Sequence, residues 1–280
     1  GQGFPYVKTL TQILYSPDRK EKWWGYKARM ELAEKRKSNE AKSYHFFERF
    51  KMALRESQDR TSEGPRITSS AGEKFLAVDV IADYLRFLKE FAWKDIQEAT
   101  SGHLKDNEIR WCLTVPAIWT DADKQLMRRA AQKAGIIGTS EEEAERLILA
   151  LEPEAAAMYC QEKDQHQLPE GTHFMVVDSG GGTVDITVHE VLAGKKLKEV
   201  VQGTGGAYGS TYVDRYFLEN FLAKKLTSEV LERYHKEEPV DFLQMMEDWE
   251  TAKCNHDPSK ERHFPIRVKL YRVLKDYPEV

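Results

Sequence analysis

Apolar residues along the chain recur at two periods, and the changes of period outline alternating strands and helices. Residues 6 to 15 and 22 to 26 read as short strands around a turn at Ser16-Pro17-Asp18. From 27 to 56 the chain is rich in Lys, Glu and Ala, and Phe46, Phe50, Ala53 and Leu54 fall at helical spacing. A polar stretch containing Gly and Pro, 57 to 72, predicts a loop. Residues 73 to 98 give the clearest helix, with Val78, Ile81, Leu85, Leu88 and Ala92 on one face. Ile109, Trp111, Leu113 and Val115 alternate with Arg110, Cys112 and Thr114, which predicts a strand ended by Pro116. Thr120 and Asp123 have the spacing of a capping box, for a helix ending at Gly135. Leu147 to Leu151 is a short apolar run leading into an alanine-rich helix after Glu152-Pro153-Glu154. Two alternating runs follow, 174 to 177 and 184 to 188, and then a glycine cluster from Gly203 to Ser210. A helix through Phe217, Phe221 and Leu222, a polar helical region from 228 to 255, and a strand or helix in progress at Val268 to Val273 complete the reading. Strands alternate with helices, so the fold class is α/β.

The join between the two alternating runs carries the most chemistry. It reads Asp178-Ser179-Gly180-Gly181-Gly182-Thr183, with Asp185 two residues on. Glycine permits positive φ and lets backbone N–H groups approach an anion with no Cβ in the way. Aspartate and threonine supply the hard oxygens that Mg²⁺ and its waters prefer. Period-two alternation puts Thr183 and Asp185 on one face. A run of glycines between strands also builds a plain loose hairpin. Two neighbouring carboxylates in such a hairpin repel each other unless a cation lies between them, so the turn asks for a metal.

Composition narrows the class. The 280 residues are 41% hydrophobic and 31% charged, which suits a globular chain with room for two lobes. No apolar stretch reaches the roughly 20 residues needed to span a bilayer, and no signal-peptide pattern opens the chain. The cytosol is therefore the expected compartment, with the nucleus also open. A net charge of -4 argues against a nucleic-acid surface. Cys112, Cys160 and Cys254 lack CxxC spacing and read as reduced, structural thiols. Because Gly1 is not a methionine and the opening stretch has no capped element, the chain is expected to begin inside a larger protein.

Four motifs stand in order: Leu113-Thr114-Val115-Pro116-Ala117, Leu151 to Ala157, Asp178 to Asp185, and Gly205-Gly206-Ala207-Tyr208-Gly209-Ser210. In order and spacing the chain resembles the nucleotide-binding domain of the heat-shock protein 70 family. Phe50-Lys51-Met52-Ala53-Leu54 and the Pro-Ala-Ile-Trp run at 116 to 119 resemble its divergent heat shock 70 kDa protein 12 branch. The resemblance implies an actin-like ATPase fold of two ribonuclease-H-like lobes, with ATP or ADP and Mg²⁺ as cofactors. Lobe I would take residues 1–160, with a helical insertion at about 27–105. The first part of lobe II would take 172–280, with a helical subdomain at about 228–280.

By the same resemblance, Gly180, Gly181, Gly182 and Thr183 would hold phosphates. Asp178 and Asp185 would bind the waters of Mg²⁺ or orient the attacking water, and Glu152 would face the metal through water. Lys51 would reach the γ-phosphate, while Gly206, Gly209 and Ser210 would form a further phosphate turn. Glu250 and Lys253 match the helix that touches ribose and adenine. Each has a plainer reading: a solvated lysine, a helix-dipole glutamate, a simple turn, an ordinary i,i+3 pair. Client proteins and co-chaperones would engage regions outside these residues.

Departures from the family pattern change the expectation. The family's first phosphate loop has no match in the 280 residues, nor do its interdomain linker and peptide-binding domain. Losing two or three charge-assisted hydrogen bonds at about 1.5–3 kcal/mol each weakens ATP binding by several orders of magnitude. Cys254 stands where the family stacks an arginine on adenine, and Lys124 where it relays nucleotide state through an arginine. Three functions remain open: an ATP-hydrolysing chaperone-like regulator, a scaffold using nucleotide only structurally, and a sugar or metabolite kinase of the same superfamily.

Overall fold

The computed structural model describes residues 9–163, 168–261, 263–270 and 273–276. They form two compact units, one drawn from the described residues up to 32 and from 40 to 210, the other from 33–39 and the described residues after 210.

The first unit begins with β1 (Gln12–Tyr15), which pairs antiparallel with β2 (Lys22–Trp24) across the predicted turn. The Arg19 N–H donates to the Ser16 carbonyl, and Ser16 Oγ lies 2.6 Å from Asp18 Oδ1, so the turn is held by its own short polar side chains. Helix α1 (Gly25–Lys37) follows. The next stretch corrects the helical expectation for 27–56: Phe46 lies in β3 (His45–Glu48), which pairs with the other edge of β1. Its helical spacing with Phe50 and Leu54 is accidental, because only the single turn α2 (Ala53–Glu56) is α-helical there. The predicted loop at 57–72 holds two more strands, β4 (Arg60–Thr61) and β5 (Gly64–Thr68), and β5 continues into β6 (Lys74–Leu76) through a hairpin. Residues 27–105 thus hold strands as well as helices.

Helix α3 (Ala77–Ala99) buries Val78, Ile81 and Leu85 as the periodicity requires. It packs on α4 (Asp121–Lys133), whose capping box forms in both directions: Thr120 Oγ1 accepts from the Asp123 N–H, and Asp123 Oδ2 from the Thr120 N–H. Gly135 ends that helix at φ 73°, the left-handed geometry glycine supplies at a helix stop. Strands β7 (Trp111–Val115) and β8 (Leu147–Leu151) lie parallel, joined through α4 and the short α5 (Glu141–Ala144), so this segment is a βαβ crossover. Helix α6 (Glu152–Lys163) leaves β8 directly. Then come β9 (His173–Ser179), β10 (Val184–Val191) and β11 (Leu197–Gly206), an antiparallel sheet with β10 in the middle. Residues 6–8 of the first predicted strand lie outside the described residues.

The second unit is helical. It is built from α7 (Ser210–Tyr216), a π-helical stretch at Phe217–Leu222, α8 (Ala223–Leu226), α9 (Ser228–Glu237) and α10 (Pro239–Asn255). Its core gathers Phe217, Leu222, Val230, Tyr234, Phe242, Met245, Leu270 and Val273. The expected element at Val268 to Val273 is instead an irregular segment through Leu270, with residues 271–272 outside the described ones. Polar clasps hold this segment to the helices. Asp248 on α10 accepts from the Arg267 guanidinium at 2.7 and 2.9 Å and from its backbone N–H at 3.1 Å. Lys269 Nζ lies 3.2 Å from Asp241.

The Arg267 guanidinium holds the Asp248 carboxyl well below the usual carboxylate range. A depressed carboxyl stabilises the fold above its unfolded value, about 3.9, and that contribution fades as pH falls toward the folded value. Urea unfolding followed through Trp249, the one tryptophan of the second unit, is expected to lose stability below about pH 4. Arg267→Met should lower stability at neutral pH and flatten that acid slope; an unchanged slope would remove the pair from the acid response.

Candidate nucleotide and metal site

The glycine turn is built by its two strands. Asp178 is the last residue but one of β9 and Asp185 the second of β10, and in the strand register the two residues are direct partners. Side chains of such partners share one face, so two carboxylates are set opposite each other, an arrangement that destabilises a strand pair by itself. Asp185 is almost fully buried, at 1% exposure, and Thr183 is buried beside it on the same face. Asp185 Oδ1 accepts the backbone N–H of Ala117 at 3.2 Å, which ties the Pro116 turn at the end of β7 to β10. Among the described residues no group of three or more His, Cys, Asp or Glu side chains closes into a direct metal cage. Paired carboxylates without a closed cage suit a hydrated Mg²⁺, which keeps several of its waters.

The glycines matter for proximity more than for conformation. The turn needs no positive φ at Gly180, Gly181 or Gly182, against expectation. Gly180 N–H closes the turn onto the Thr183 carbonyl at 2.9 Å. The second glycine cluster then packs backbone on backbone: a Cβ on Gly209 would sit 2.5 Å from the Gly181 carbonyl carbon and 2.6 Å from that of Gly182. A Cβ on Gly205, the strand partner of Asp185, would sit 2.5 Å from the Val184 carbonyl oxygen. Gly209 N–H donates to the Gly182 carbonyl at 3.2 Å and Ser210 N–H to that of Gly180 at 3.0 Å. Those two N–H groups therefore lace the turn together; donation to a phosphate by either requires this bond to be exchanged. Gly206 carries the Tyr208 N–H on its carbonyl, and the nearest atoms to a Cβ there would be those of the exposed Tyr208 ring. Beside Gly181 lies open space.

Lys51, in the 3₁₀ turn at Phe50–Met52, ion-pairs with Glu152 at the start of α6. Residues 101 apart in sequence are thus joined at their charged ends. The neighbouring Met52 reaches the glycine turn, with its Cγ 3.5 Å from a Cβ built on Gly182. Lys51 Nζ also stands 6.0 Å from the ring of Trp119, a buried indole on the same turn as Ala117. Sequence reasoning overlooked Gly205, Trp119 and the Ala117 N–H as site elements. The first lay inside a recognised motif, while a backbone donor has no side-chain signal.

Glu250 and Lys253 are on α10 in the second unit. Lys253 Nζ lies 2.6 Å from Glu250 Oε2 and 2.8 Å from Asp214 Oδ1, an acid on α7 that the sequence reading also missed. Burial works against the Lys253 ammonium, but the hydrogen bonds to Asp214 and Glu250 outweigh it and raise the group above its ordinary value. Burial, with the adjacent Glu250 carboxylate, raises the Cys254 thiol, which donates to Glu250 Oε1 at 3.3 Å. Lys124 pairs with Asp121 one turn away at 3.5 Å.

The family described as Hsp70 protein matches residues 35–273. Heat shock 70 kDa protein 12A of Homo sapiens is 34% identical, over 98% of this chain and 47% of its own length. Heat shock 70 kDa protein 12B of Homo sapiens is 29% identical, over 92% of this chain and 45% of its own length. Chaperone protein HscA homolog of Acinetobacter baumannii (strain AYE) is 31% identical over 61% of this chain and 24% of its own length. The chain spans about half the length of the two heat shock relatives. With a family match across most of its length and these relatives, the chain belongs to the Hsp70 family.

Proposed function

We propose that these residues are the nucleotide-handling part of an actin-like, two-lobed ATPase, with lobe I in residues 1–160 and the start of lobe II in 172–280, acting on Mg²⁺-bound ATP in a chaperone-like protein. The observation that carries the reading is the face-to-face register of Asp178 and Asp185 at the neck of a glycine turn whose flank is left open. A strand pair gains nothing from that register without a cation.

In this reading Asp178 and Asp185 would hold waters of Mg²⁺, and Glu152 would meet the ion through water. When bound, Mg²⁺ neutralises charge on the terminal phosphates. The chain's own residues do the rest. Gly180 to Gly182 keep side-chain bulk away from the phosphates, and the Thr183 hydroxyl offers a polar atom at the end of the turn. The Ala117 N–H holds the Asp185 carboxylate in orientation, leaving its second oxygen for water. Lys51 is held by Glu152 until a phosphate, carrying more charge than one carboxylate, competes for its ammonium. Such a site works by positioning and charge neutralisation, which is what phosphoryl transfer to water needs.

A second reading, nucleotide as a structural ligand without turnover, is favoured by Cys254. A protonated thiol offers an adenine neither a stacking plane nor a cation. Client proteins and co-chaperones belong to either reading, in the cytosol or nucleus. No helix among the described residues is long and apolar enough to cross a membrane.

Calorimetry of the 280-residue chain with Mg²⁺ and ATP is expected to give affinity weaker than micromolar; sub-micromolar binding would contradict the weakening assigned to the unmatched first loop. Millimolar Mg²⁺-ATP should raise the melting temperature of the chain and leave Asp178→Asn unmoved. Equal protection of both proteins would sink the proposed site. Gly209→Ala should cost about 1–3 kcal/mol in urea unfolding, because its Cβ meets backbone that cannot rotate away, and should abolish the nucleotide protection. A stable Gly209→Ala that keeps full protection would mean the lacing is dispensable.

A further inference from the structure

A cavity of about 600 Å³ lies in the first unit, between the outer edges of β3 and β5. Strand register shows which main-chain groups face it. The Arg49 N–H donates to the Thr11 carbonyl at 3.0 Å, and Phe47 and His45 pair with Ile13 and Tyr15. The alternate residues Phe46 and Glu48 therefore turn their N–H and C=O groups to the other edge. On β5 the Ser69 N–H donates to the Glu73 carbonyl at 2.8 Å, which leaves Arg66, Thr68 and Ser70 facing outward by the same rule.

These two edges meet at one end only. The Ser70 N–H donates to the Phe46 carbonyl at 3.1 Å, and the Phe46 N–H to Ser70 Oγ at 3.0 Å. The next antiparallel pair would be Glu48 with Thr68, yet no hydrogen bond joins them. Beyond it the chain turns out of β3 at Arg49, whose φ of 53° is left-handed, and Arg66 is engaged by the Asp59 carbonyl and the Ser57 hydroxyl. Among the described residues, the N–H and C=O groups of Glu48 and Thr68 thus have no hydrogen-bond partner. A left-handed arginine costs free energy that a continued strand would not, and it keeps the wedge from zipping shut.

We propose that this wedge takes a short extended segment of another polypeptide, paired with Glu48 on one side and Thr68 on the other. Successive residues of an extended chain point their N–H and C=O groups to opposite sides, so two neighbours serve both edges. Alternation also sets the side chains. Phe47, Phe50 and Ile67 line the cavity and belong to the main core or pack on it, so the inward residue of the segment is aliphatic. Glu48 points to the face opposite Phe47 and is exposed, as is Glu56, which also lines the cavity. Arg49 at the same mouth has a partner of its own. The Glu48 carboxylate accepts only from the neutral Gln12 amide, at 3.2 Å. The outward residue of the segment is therefore lysine or arginine, set beside Glu48.

The probe is a labelled, end-blocked hexapeptide of alternating valine and lysine, titrated into the intact chain by fluorescence anisotropy. Saturable binding is expected. Methylating the main-chain nitrogens of alternate residues removes the donors to one edge and should weaken it about tenfold. A valine-glutamate peptide should bind more weakly than the lysine one, and Glu48→Lys should reverse that order. Thr68→Pro deletes a donor that no ladder bond uses, so it should weaken the peptide several-fold and leave the melting temperature unmoved. Amide exchange at Glu48 and Thr68, read by NMR, should slow several-fold when the peptide is saturating. No binding of the lysine peptide, equal affinity of its methylated form, or unchanged exchange at both amides would overturn the proposal. Binding that survives both methylation and Glu48→Lys would make the cavity a plain apolar pocket and overturn it equally.

Discussion

Backbone meets backbone at Gly209 and Gly205, and the site depends on that closeness. At each position a Cβ would lie within 2.6 Å of another residue's main chain, a distance no side-chain adjustment can relieve. Because the gap is closed, Gly209 and Ser210 can hand their N–H groups to the carbonyls of Gly182 and Gly180. The flexible turn at Gly180 to Gly182 becomes a laced one, and the entropy that glycine carries is removed by neighbours rather than by its own torsions. Everything assigned to Asp178, Thr183 and Asp185 presumes a turn held in one shape.

Charge is distributed around that turn in a way that leaves work for a ligand. Asp178 and Asp185 face one another with like sign, while Lys51 is neutralised by Glu152 on the adjoining elements. The pair of pairs is lopsided: among the described residues no Lys or Arg side chain pairs with either acid, whereas Lys51 is matched by Glu152. A cation between the acids and a polyanion beside the lysine together restore balance, and a metal-bound phosphate is both. Neither half alone makes this case, since a lysine pair still partly open to water contributes little to stability.

Legibility followed physical range. The capping box at Thr120 and Asp123, the stop at Gly135 and the strand from Trp111 to Val115 are set by residues within one turn of each other, and these were readable. Strands β3 to β6 were not, because they are two to five residues long and too short to show a period; Phe46 fell by chance in step with a neighbouring helical turn. Strand β11 hid for another reason: its partner register shifts between Ile186 and His189, so its own apolar alternation is broken. At the site, Asp178 and Asp185 stood out through the glycine turn they flank, and Lys51 and Glu152 through family motifs. Asp214 lies 39 residues from Lys253, and no local pattern joins them.

Strand β10 shows why the lacing has to be strong. Its buried face carries Thr183, Asp185, Thr187 and His189, while the apolar Val184, Ile186 and Val188 are only partly covered and their partners on β9, Val177 and Met175, are exposed. Hydrophobic burial alone would favour a slip of one residue, which exchanges the two faces. Partners for the polar row oppose the slip: Asp185 accepts from Ala117, and Thr187 Oγ1 lies 2.8 Å from His189 Nε2, whose ring stacks on Phe174. Those bonds satisfy the buried groups without making them better than an apolar row. What holds the register is therefore the turn itself, closed by Gly180 on Thr183 and fastened by Gly209 and Ser210, because a one-residue slip would break all three bonds at once. The glycine lacing and the polar face are one device: the first keeps the second pointed inward, where its carboxylate can meet a cation.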